Sequence, residues 1–198
     1  MASVPRLWPG ATVVCLATGA SLTAADVDAC RGLRTIAIND AYTLAPWADV
    51  LYAADQKWWQ WHQGAPTFQG LKYTVTPQKI AWAGLEVLQH DGDNTLPGLS
   101  LDLEKLRTGF NSGYQAINLA VHLGAARIVL LGYDMHGGHF FGNHPDGTAP
   151  PFAHCLEAFA TLVEPLAALG VSIVNCTPGS ALRCFPMAPL ASVLERAA

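Results

Sequence analysis

The sequence predicts an α/β fold, with a single doubly wound, mostly parallel sheet of the Rossmann-like type and helices on both of its faces. Apolar runs without polar alternation, such as residues 11–17 and 127–132, are typical of strands that are covered on both faces. Segments with the periodicity of amphipathic helices separate these runs. Alternation of strands and helices favours a parallel sheet, because each helix carries the chain back to the same end of the sheet.

The segment 111–123 illustrates the helical pattern. Its apolar residues Tyr114, Ile117 and Val121 have the spacing of one buried helix face, and Ser112 could cap its start. The other predicted helices are residues 23–32, 153–169 and a short one that begins at Pro189. The predicted strands are residues 11–17, 35–39, 49–55, 73–76, 85–90, 127–132 and 171–176. We expect the sheet core to contain Val13, Leu16, Ile36, Ile38, Leu51, Ile128, Leu130, Ile173 and Val174.

Length and composition favour one globular domain over residues 1–198. Hydrophobic residues make up 51% of the chain and charged residues 13%, which excludes a disordered chain. The net charge is −4, with 15 acidic and 11 basic residues and no basic run. Direct binding to nucleic acid or to an anionic membrane is therefore not expected.

Five cysteines at positions 15, 30, 155, 176 and 184 include no CxxC pair, so the sequence predicts neither a disulfide framework nor a zinc ribbon. No apolar run approaches the length of a membrane span, and the N-terminus lacks the apolar core of a signal peptide. We expect a reduced, cytoplasmic protein.

Polar and small residues follow most of the predicted strands. They are Thr18 to Ser21 after the first strand, Asn39 and Asp40 after the second, Asp55 after the third, the loop from Tyr133 to Asp146, and Thr177 to Ser180. The carboxyl ends of parallel strands meet at one edge of a sheet, and ligands of open α/β sheets bind there. We therefore expect Gly19, Ser21, Asn39, Asp55, Ser112, Asp134 and His144 to line one cleft.

The turn Thr18-Gly19-Ala20-Ser21 has two interpretations. Backbone amides at a helix start, with a hydroxyl and a glycine, could hold a phosphate. The turn could equally be an ordinary connection between a strand and a helix, since it is not a Walker loop and lacks the GxGxxG spacing. Asn39 and Asp40 could likewise face a ligand or cap a turn.

The histidine loop contains side chains that could bind a metal or accept a proton. Asp134, His136, His139, His144 and Asp146 have suitable chemistry, but their spacing is not that of a standard metal site, so we predict no bound metal. His144 could instead be a general base.

His154 is a second candidate base. It lies at the start of a predicted helix, where the helix dipole favours a neutral imidazole; it could also be an ordinary surface histidine. The aromatic cluster Trp58, Trp59 and Trp61 could stack on a base or sugar, or it could pack in the interior. It could also pack between two copies of the chain, so a homo-oligomer is considered as well.

Four blocks of the sequence resemble the bacterial sialyltransferases that use CMP-sialic acid, and the related hydroxymethylpterin-pyrophosphokinase-like proteins. In chain order the blocks are ATGASL, AINDAY, NSGYQAINLAVHLGAARIVLLGYDM and VSIVNCTPGSALRCFPMAP. The third block is the most specific, and the resemblance spans nearly the whole chain. It implies a Rossmann-like nucleotide-binding domain.

The resemblance also implies roles for individual residues. Gly19, Ala20 and Ser21 would lie near the nucleotide phosphates, Asn39 on the nucleotide or its sugar, and Ser112 and Gly113 near the donor. Thr177 and Ser180 would contact the base or ribose, and His154 would match the general base. His136 stands where the sialyltransferases have a tyrosine, and Asp55 where they have an asparagine.

Three functions are consistent with these patterns. The first is a nucleotide-dependent transferase, a glycosyltransferase with a CMP-sugar-like donor and His154 or His144 as the base. The second is Mg²⁺-dependent pyrophosphoryl transfer with Asp55 and Asp134 beside the metal, so Mg²⁺ is a cofactor only under this alternative. The third is a non-catalytic protein that binds a nucleotide.

Overall fold

The computed structural model describes residues 2–75, 82–92, 97–147 and 151–195. Within these residues eight strands form one sheet. The strands are β1 (Thr12–Leu16), β2 (Arg34–Ile38), β3 (Val50–Tyr52), β4 (Leu71–Val75), β5 (Leu85–His90), β6 (Lys105–Leu106), β7 (Arg127–Leu131) and β8 (Ser172–Asn175). The helices are α1 (Ala24–Ala29), the 3-10 helix Asn39–Thr43, α2 (Gln56–Trp61), α3 (Ser112–Leu123), α4 (Phe152–Ala160), α5 (Val163–Ala168) and α6 (Leu190–Leu194).

The sheet has the order β6-β5-β4-β3-β2-β1-β7-β8, and every neighbouring pair is parallel. The chain runs outward from β1 to β6 and then returns through α3 to β7 on the other side of β1. The strand order therefore reverses between β1 and β7. The prediction of a doubly wound parallel sheet is confirmed, and the reversal defines where a ligand site is expected.

Two hydrophobic cores cover the two faces of the sheet. One contains Tyr114 and Ile117 of α3 with Phe159 of α4, and the other contains Val27 of α1 with Trp58 of α2. Helices thus lie on both faces, as predicted. No helix within the described residues is long and apolar enough to cross a bilayer.

The predicted core residues are buried in the structure, with one exception. Val13, Leu16, Ile36, Ile38, Leu51, Ile128, Leu130 and Val174 are buried, whereas Ile173 is only partly buried. Ile173 belongs to β8, which is an edge strand and has a neighbour on one side only. All five cysteines are unpaired, and Cys184 is the one that is not fully buried.

The predicted helix 153–169 is wrong as a single element, because the chain breaks it into α4 and α5. Pro165 lies in the first turn of α5 and has no N–H to bond the preceding turn. The Thr161 hydroxyl instead bonds the carbonyl of Ala158 at 2.7 Å. The break is therefore attributed to Pro165. The prediction relied on the spacing of apolar residues, which takes no account of a proline.

Other boundaries also differ from prediction. The strands predicted at residues 49–55 and 73–76 are observed as β3 and β4, and Thr76 lies outside the described residues. The short strand β6, helix α2 and the 3-10 helix were not predicted. The cap of α3 is Asn111 rather than Ser112, since its side-chain oxygen accepts the amides of Gly113 at 2.8 Å and Tyr114 at 3.2 Å.

Candidate functional site

A cavity of about 710 Å³ opens at the carboxyl edge of the sheet. Residues that follow β1, β2, β3, β6 and β7 line it, together with the last residues of β4 and β5 and the first residues of α3. The cavity spans the point between β1 and β7 at which the strand order reverses. Its volume is within the range of small-molecule sites in proteins, about 300–1,000 Å³.

The cavity brings together many, but not all, of the predicted site residues. The predicted residues that line it are Thr18, Gly19, Asn39, Asp55, Ser112, Gly113, Asp134, His136 and His144. The predicted residues outside its lining are Ala20, Ser21, Asp40, His154, Thr177 and Ser180. The predicted cleft at one sheet edge therefore exists, with Ser21 as the exception.

Ser21 is turned toward Asp134 and not toward the cavity. Its amide donates to one carboxylate oxygen of Asp134 at 3.0 Å, and its hydroxyl donates to the other at 2.8 Å. The neighbouring amides of Gly19 and Leu22 bond the carbonyls of Gly132 and Gly19. The turn after β1 thus already holds a carboxylate, and the expectation that Ser21 lies near the nucleotide phosphates stays a prediction.

Gly19 is required by the close approach of this carboxylate. A Cβ at position 19 would lie 1.8 Å from an Asp134 oxygen and 2.5 Å from the carbonyl oxygen of Gly132. No side chain fits such a space. Gly19 therefore lets β1 and β7 join tightly at the floor of the cavity. Ala20 is exposed at the outside of the turn.

Asn39 lines the cavity and has an unused acceptor. It follows β2 directly, and its backbone has a φ of +49°, in the left-handed region that few non-glycine residues adopt. Its side-chain oxygen is buried and has no hydrogen-bond partner among the described residues. A buried acceptor of this kind is costly unless a ligand or water donates to it.

Asp40 holds two structural elements together. Its carboxylate accepts the Trp58 indole N–H at 2.8 Å and lies 3.2 Å from the His62 imidazole. Burial by itself raises the pKa of Asp40, but the hydrogen bonds from His62 and Trp58 outweigh it and leave the pKa below its usual value. Asp40 therefore ties α2 to the 3-10 helix, and the expectation that it faces a ligand stays a prediction.

Thr177 and Ser180 are also structural. Both are fully buried. The Thr177 hydroxyl accepts the Tyr133 amide at 2.9 Å, and the Ser180 hydroxyl donates to the Tyr133 carbonyl. The closing turn therefore holds the chain as it leaves β7, and the expectation that these hydroxyls contact a base or ribose stays a prediction.

The histidine loop folds back over the turn after β1. The Nδ1 atom of His139 lies 2.9 Å from the Thr18 hydroxyl, and its backbone forms a bridge with Gly19. Burial, and then the nearby charge of His144, lower the pKa of His139. His139 is therefore a neutral imidazole that closes one side of the cavity.

The far end of the loop reaches α2. The ring of His144 stacks against Trp61, with 6.4 Å between ring centroids, and Asp146 pairs with Lys57 at 3.2 Å. Trp61 is 39% exposed, whereas Trp58 and Trp59 are buried. Trp58 and Trp61 both border the cavity, whereas Trp59 does not, and of the three only Trp61 is exposed.

The two candidate bases have different surroundings. His144 lines the cavity, whereas the His154 side chain is 56% exposed and is not part of the lining. His154 packs on Phe110, with 4.2 Å between ring centroids, and lies 4.0 Å from a carboxylate oxygen of Glu157. The geometry favours His144 for contact with a bound ligand.

Metal-binding side chains do not converge in the described part of the chain. No group of three or more His, Cys, Asp or Glu residues there has an arrangement that could hold a metal ion. Asp55 precedes α2 without a capping hydrogen bond and is exposed. Both carboxylate oxygens of Asp134 accept hydrogen bonds from Ser21.

Several cavity residues were missed by the analysis of the sequence, among them His90, Phe110 and Gln115. His90 is the last residue of a correctly predicted strand, so the rule that strand ends face the site could have found it. Phe110 has a φ of +57°, which no sequence pattern indicated. Gln115 lies on α3, where its side chain accepts the Tyr52 hydroxyl at 2.8 Å.

Comparisons with protein-family models, with curated proteins and with solved structures found no match. The proposals below are therefore argued from the cavity and its residues.

Proposed function

We propose that the chain binds a nucleotide or nucleotide-sugar in this cavity and acts as a nucleotide-dependent transferase, with a CMP-sugar-like donor as the first to test. The observation that carries the proposal is the position of the cavity at the reversal between β1 and β7. Ligands of open parallel sheets bind at this position because polar groups from several strand ends converge there.

The lining contains groups that suit such a ligand. The unpartnered Asn39 oxygen accepts an N–H or O–H of the nucleotide. Lys57 borders the cavity but is paired with Asp146, whereas the start of α3 at Ser112 and Gly113 adds the positive end of a helix dipole. The start of α3 is therefore the part of the lining that favours a phosphate, without the amide of Ser21.

His144 is the proposed general base. As the acceptor oxygen bonds to the anomeric carbon, the imidazole takes the proton of the acceptor hydroxyl. The bond from the anomeric carbon to the phosphate oxygen breaks, and the nucleotide leaves with the electron pair. His139 lies 4.6 Å from His144 between ring centroids, so an imidazole with a lowered pKa lies beside the proposed base.

Calorimetry with CMP, CTP, ATP and GTP, each with and without Mg²⁺, tests the binding step. We expect a cytidine nucleotide to bind without Mg²⁺. Asn39→Gly removes the amide but tolerates the left-handed backbone, and it should weaken binding about tenfold, the loss of one buried hydrogen bond. Ser172→Ala, at the opposite end of the sheet in β8, is the matched control and should bind like the parent chain.

Turnover assays separate the three functions. Release of sugar from a CMP-sugar, or its transfer to an acceptor, supports the glycosyltransferase. Binding of ATP or GTP only with Mg²⁺ supports pyrophosphoryl transfer instead, an alternative favoured only by the presence of both Asp55 and Asp134 in the lining. Nucleotide binding without turnover identifies a non-catalytic binding protein, and absence of all nucleotide binding contradicts the proposal.

A further inference from the structure

A second depression, of about 290 Å³, lies at the amino edge of the sheet, opposite the candidate site. Its lining includes residues that shortly precede three strands, namely Gly10 before β1, Ala126 before β7 and Val171 before β8. The candidate site lies instead at the carboxyl ends of the strands. A molecule that occupies this second depression therefore leaves the candidate site open.

Three exposed leucines line this depression, which we call the leucine groove. Leu101 is 68% exposed, Leu169 is 44% exposed and Leu103 is 42% exposed. Among the described lining residues Arg6 is the single one with a formal charge, histidine aside. Large apolar side chains that gather on one surface are unusual in a protein that stays monomeric, and they are typical of a contact with another molecule.

The N-terminal segment holds the groove in shape. The amide of Val4 donates to the carbonyl of Leu103 at 2.9 Å, and the amide of Gly10 donates to the carbonyl of Gly124 at 2.9 Å. Arg6 lies between these two contacts in the chain, and a Cβ at position 124 would be 3.0 Å from its Cγ atom. The aliphatic part of Arg6 therefore packs against Gly124, and the groove is fixed by the fold itself.

Two opposite charges beside the groove have no ion-pair partner within the described residues. The Arg6 side chain pairs with no described carboxylate, and Glu104, which directly follows Leu103, pairs with no described basic side chain. The neighbouring Asp102 and Lys105 pair with each other at 2.8 Å. In a two-fold contact every pair of residues occurs twice, once on each side of the axis, so Arg6 and Glu104 of two copies can compensate each other.

We propose that the leucine groove is the interface of a two-fold homodimer, in which the three leucines of one protomer pack on those of the other. Arg6 of each protomer pairs with Glu104 of the other. These pairs fix the orientation more than the affinity, because exposed ion pairs contribute little. A second copy suits this surface because the surface itself carries both charges of each pair. The inference is independent of the proposed function, since the candidate site lies at the other edge of the sheet.

Sedimentation velocity of the whole chain, from about 1 μM to about 1 mM, measures this self-association. We expect a reversible dimer, mostly dissociated at the lowest concentration and mostly formed at the highest. Leu101→Ser should weaken it about tenfold or more, because the contact loses apolar area. The matched control is Leu71→Ser. Leu71 is 41% exposed but lies outside the groove lining, so this variant should dimerise like the parent chain.

Charge reversal tests the two-fold arrangement. Arg6→Glu and Glu104→Arg should each weaken the dimer about tenfold, because each variant places like charges opposite one another at both ends of the contact. An equimolar mixture of the two variants should dimerise like the parent chain, because both contacts of the mixed dimer again join opposite charges. Arg183→Glu, an exposed change of the same charge outside the groove lining, is the control and should not affect the dimer.

Four results would overturn the inference. The first is a parent chain that stays monomeric up to the highest concentration. The second is a dimer that Leu101→Ser leaves unchanged, since it would form through another face. The third is a mixture of the two charge variants that associates no better than either variant alone. The fourth is saturation-transfer NMR in which decanoate binds the groove of a monomeric parent chain, since the groove is then a site for a small apolar ligand.

Discussion

The carboxylate of Asp134 accepts two hydrogen bonds from Ser21, one from its amide at 3.0 Å and one from its hydroxyl at 2.8 Å. These residues are 113 positions apart in the sequence, and they join the chain after β7 to the turn after β1. Asp134 is 5% exposed. The floor of the cavity therefore carries its own anion, which is held in place by the turn.

Removal of this carboxylate should destabilise the protein. We expect Asp134→Ala to lower the free energy of unfolding by about 2–4 kcal/mol, because two charge-assisted hydrogen bonds are lost and the Ser21 amide is left without its acceptor. Urea denaturation measures the change. A cycle with Ser21→Ala and the double variant should give a coupling of about 1 kcal/mol or more. Asp28→Ala, which breaks an exposed ion pair with Arg31, should cost under about 1 kcal/mol.

The close contact between Gly19 and Asp134 predicts that a side chain at position 19 lowers the stability of the fold strongly. Gly19→Ala places a Cβ 1.8 Å from an Asp134 oxygen, so we expect a loss of about 3 kcal/mol in unfolding free energy. The control is Gly138→Ala, which also lies at the cavity but would meet no atom within 4 Å. That variant should stay within about 0.5 kcal/mol of the parent in thermal or urea unfolding. Equal stability of the two variants would contradict the packing described at the turn.

The proposed base predicts a difference between two histidines. His144→Ala should lower turnover roughly a hundredfold or more while nucleotide affinity stays nearly unchanged, as expected on removal of a general base. His154→Ala should keep turnover within about twofold, because that side chain is exposed and outside the cavity lining. The kcat of each variant is measured with a CMP-sugar donor, and its Kd for the nucleotide is measured in parallel. If His154→Ala loses turnover while His144→Ala keeps it, the general base is His154, as the sialyltransferase resemblance implies.

Burial of His122 predicts a dependence of stability on pH. Burial lowers the pKa of His122 below 6.5, partly offset by its hydrogen bond to the Lys105 carbonyl. Above pH 6.5 the ring is neutral in both states and contributes no pH dependence. As the pH falls below 6.5 the unfolded chain binds the proton first, so stability is lost as the pH drops toward the lower folded pKa.

His122→Gln should reduce this acid-side slope, measured by urea unfolding between pH 7.5 and pH 5. Val121→Ala, the adjacent buried position, changes no titrating group and should lower the whole curve without changing its slope. An unchanged slope in His122→Gln would show that other groups dominate the pH dependence.

The fold could be predicted largely from local patterns. Residues 13–17 and 128–131 are apolar without interruption, and such runs are typical of a strand covered on both faces. The rule that strand ends share an edge then found Asn39, Asp134 and His144 as neighbours in space. Short elements without a clear period, such as β6, were beyond this approach, whereas Pro165 was a local signal for the break between α4 and α5 that the prediction did not use.

The sequence by itself determined the class of fold and the edge of the sheet at which polar groups gather, because burial and periodicity are properties of consecutive residues. Only the tertiary structure decided the direction of each side chain. Ser21 bonds Asp134, Asp40 bonds Trp58, and the His154 ring lies outside the cavity while His90 borders it. Hydrogen bonds between residues distant in sequence depend on packing to within a few tenths of an ångström, and no local pattern encodes that distance.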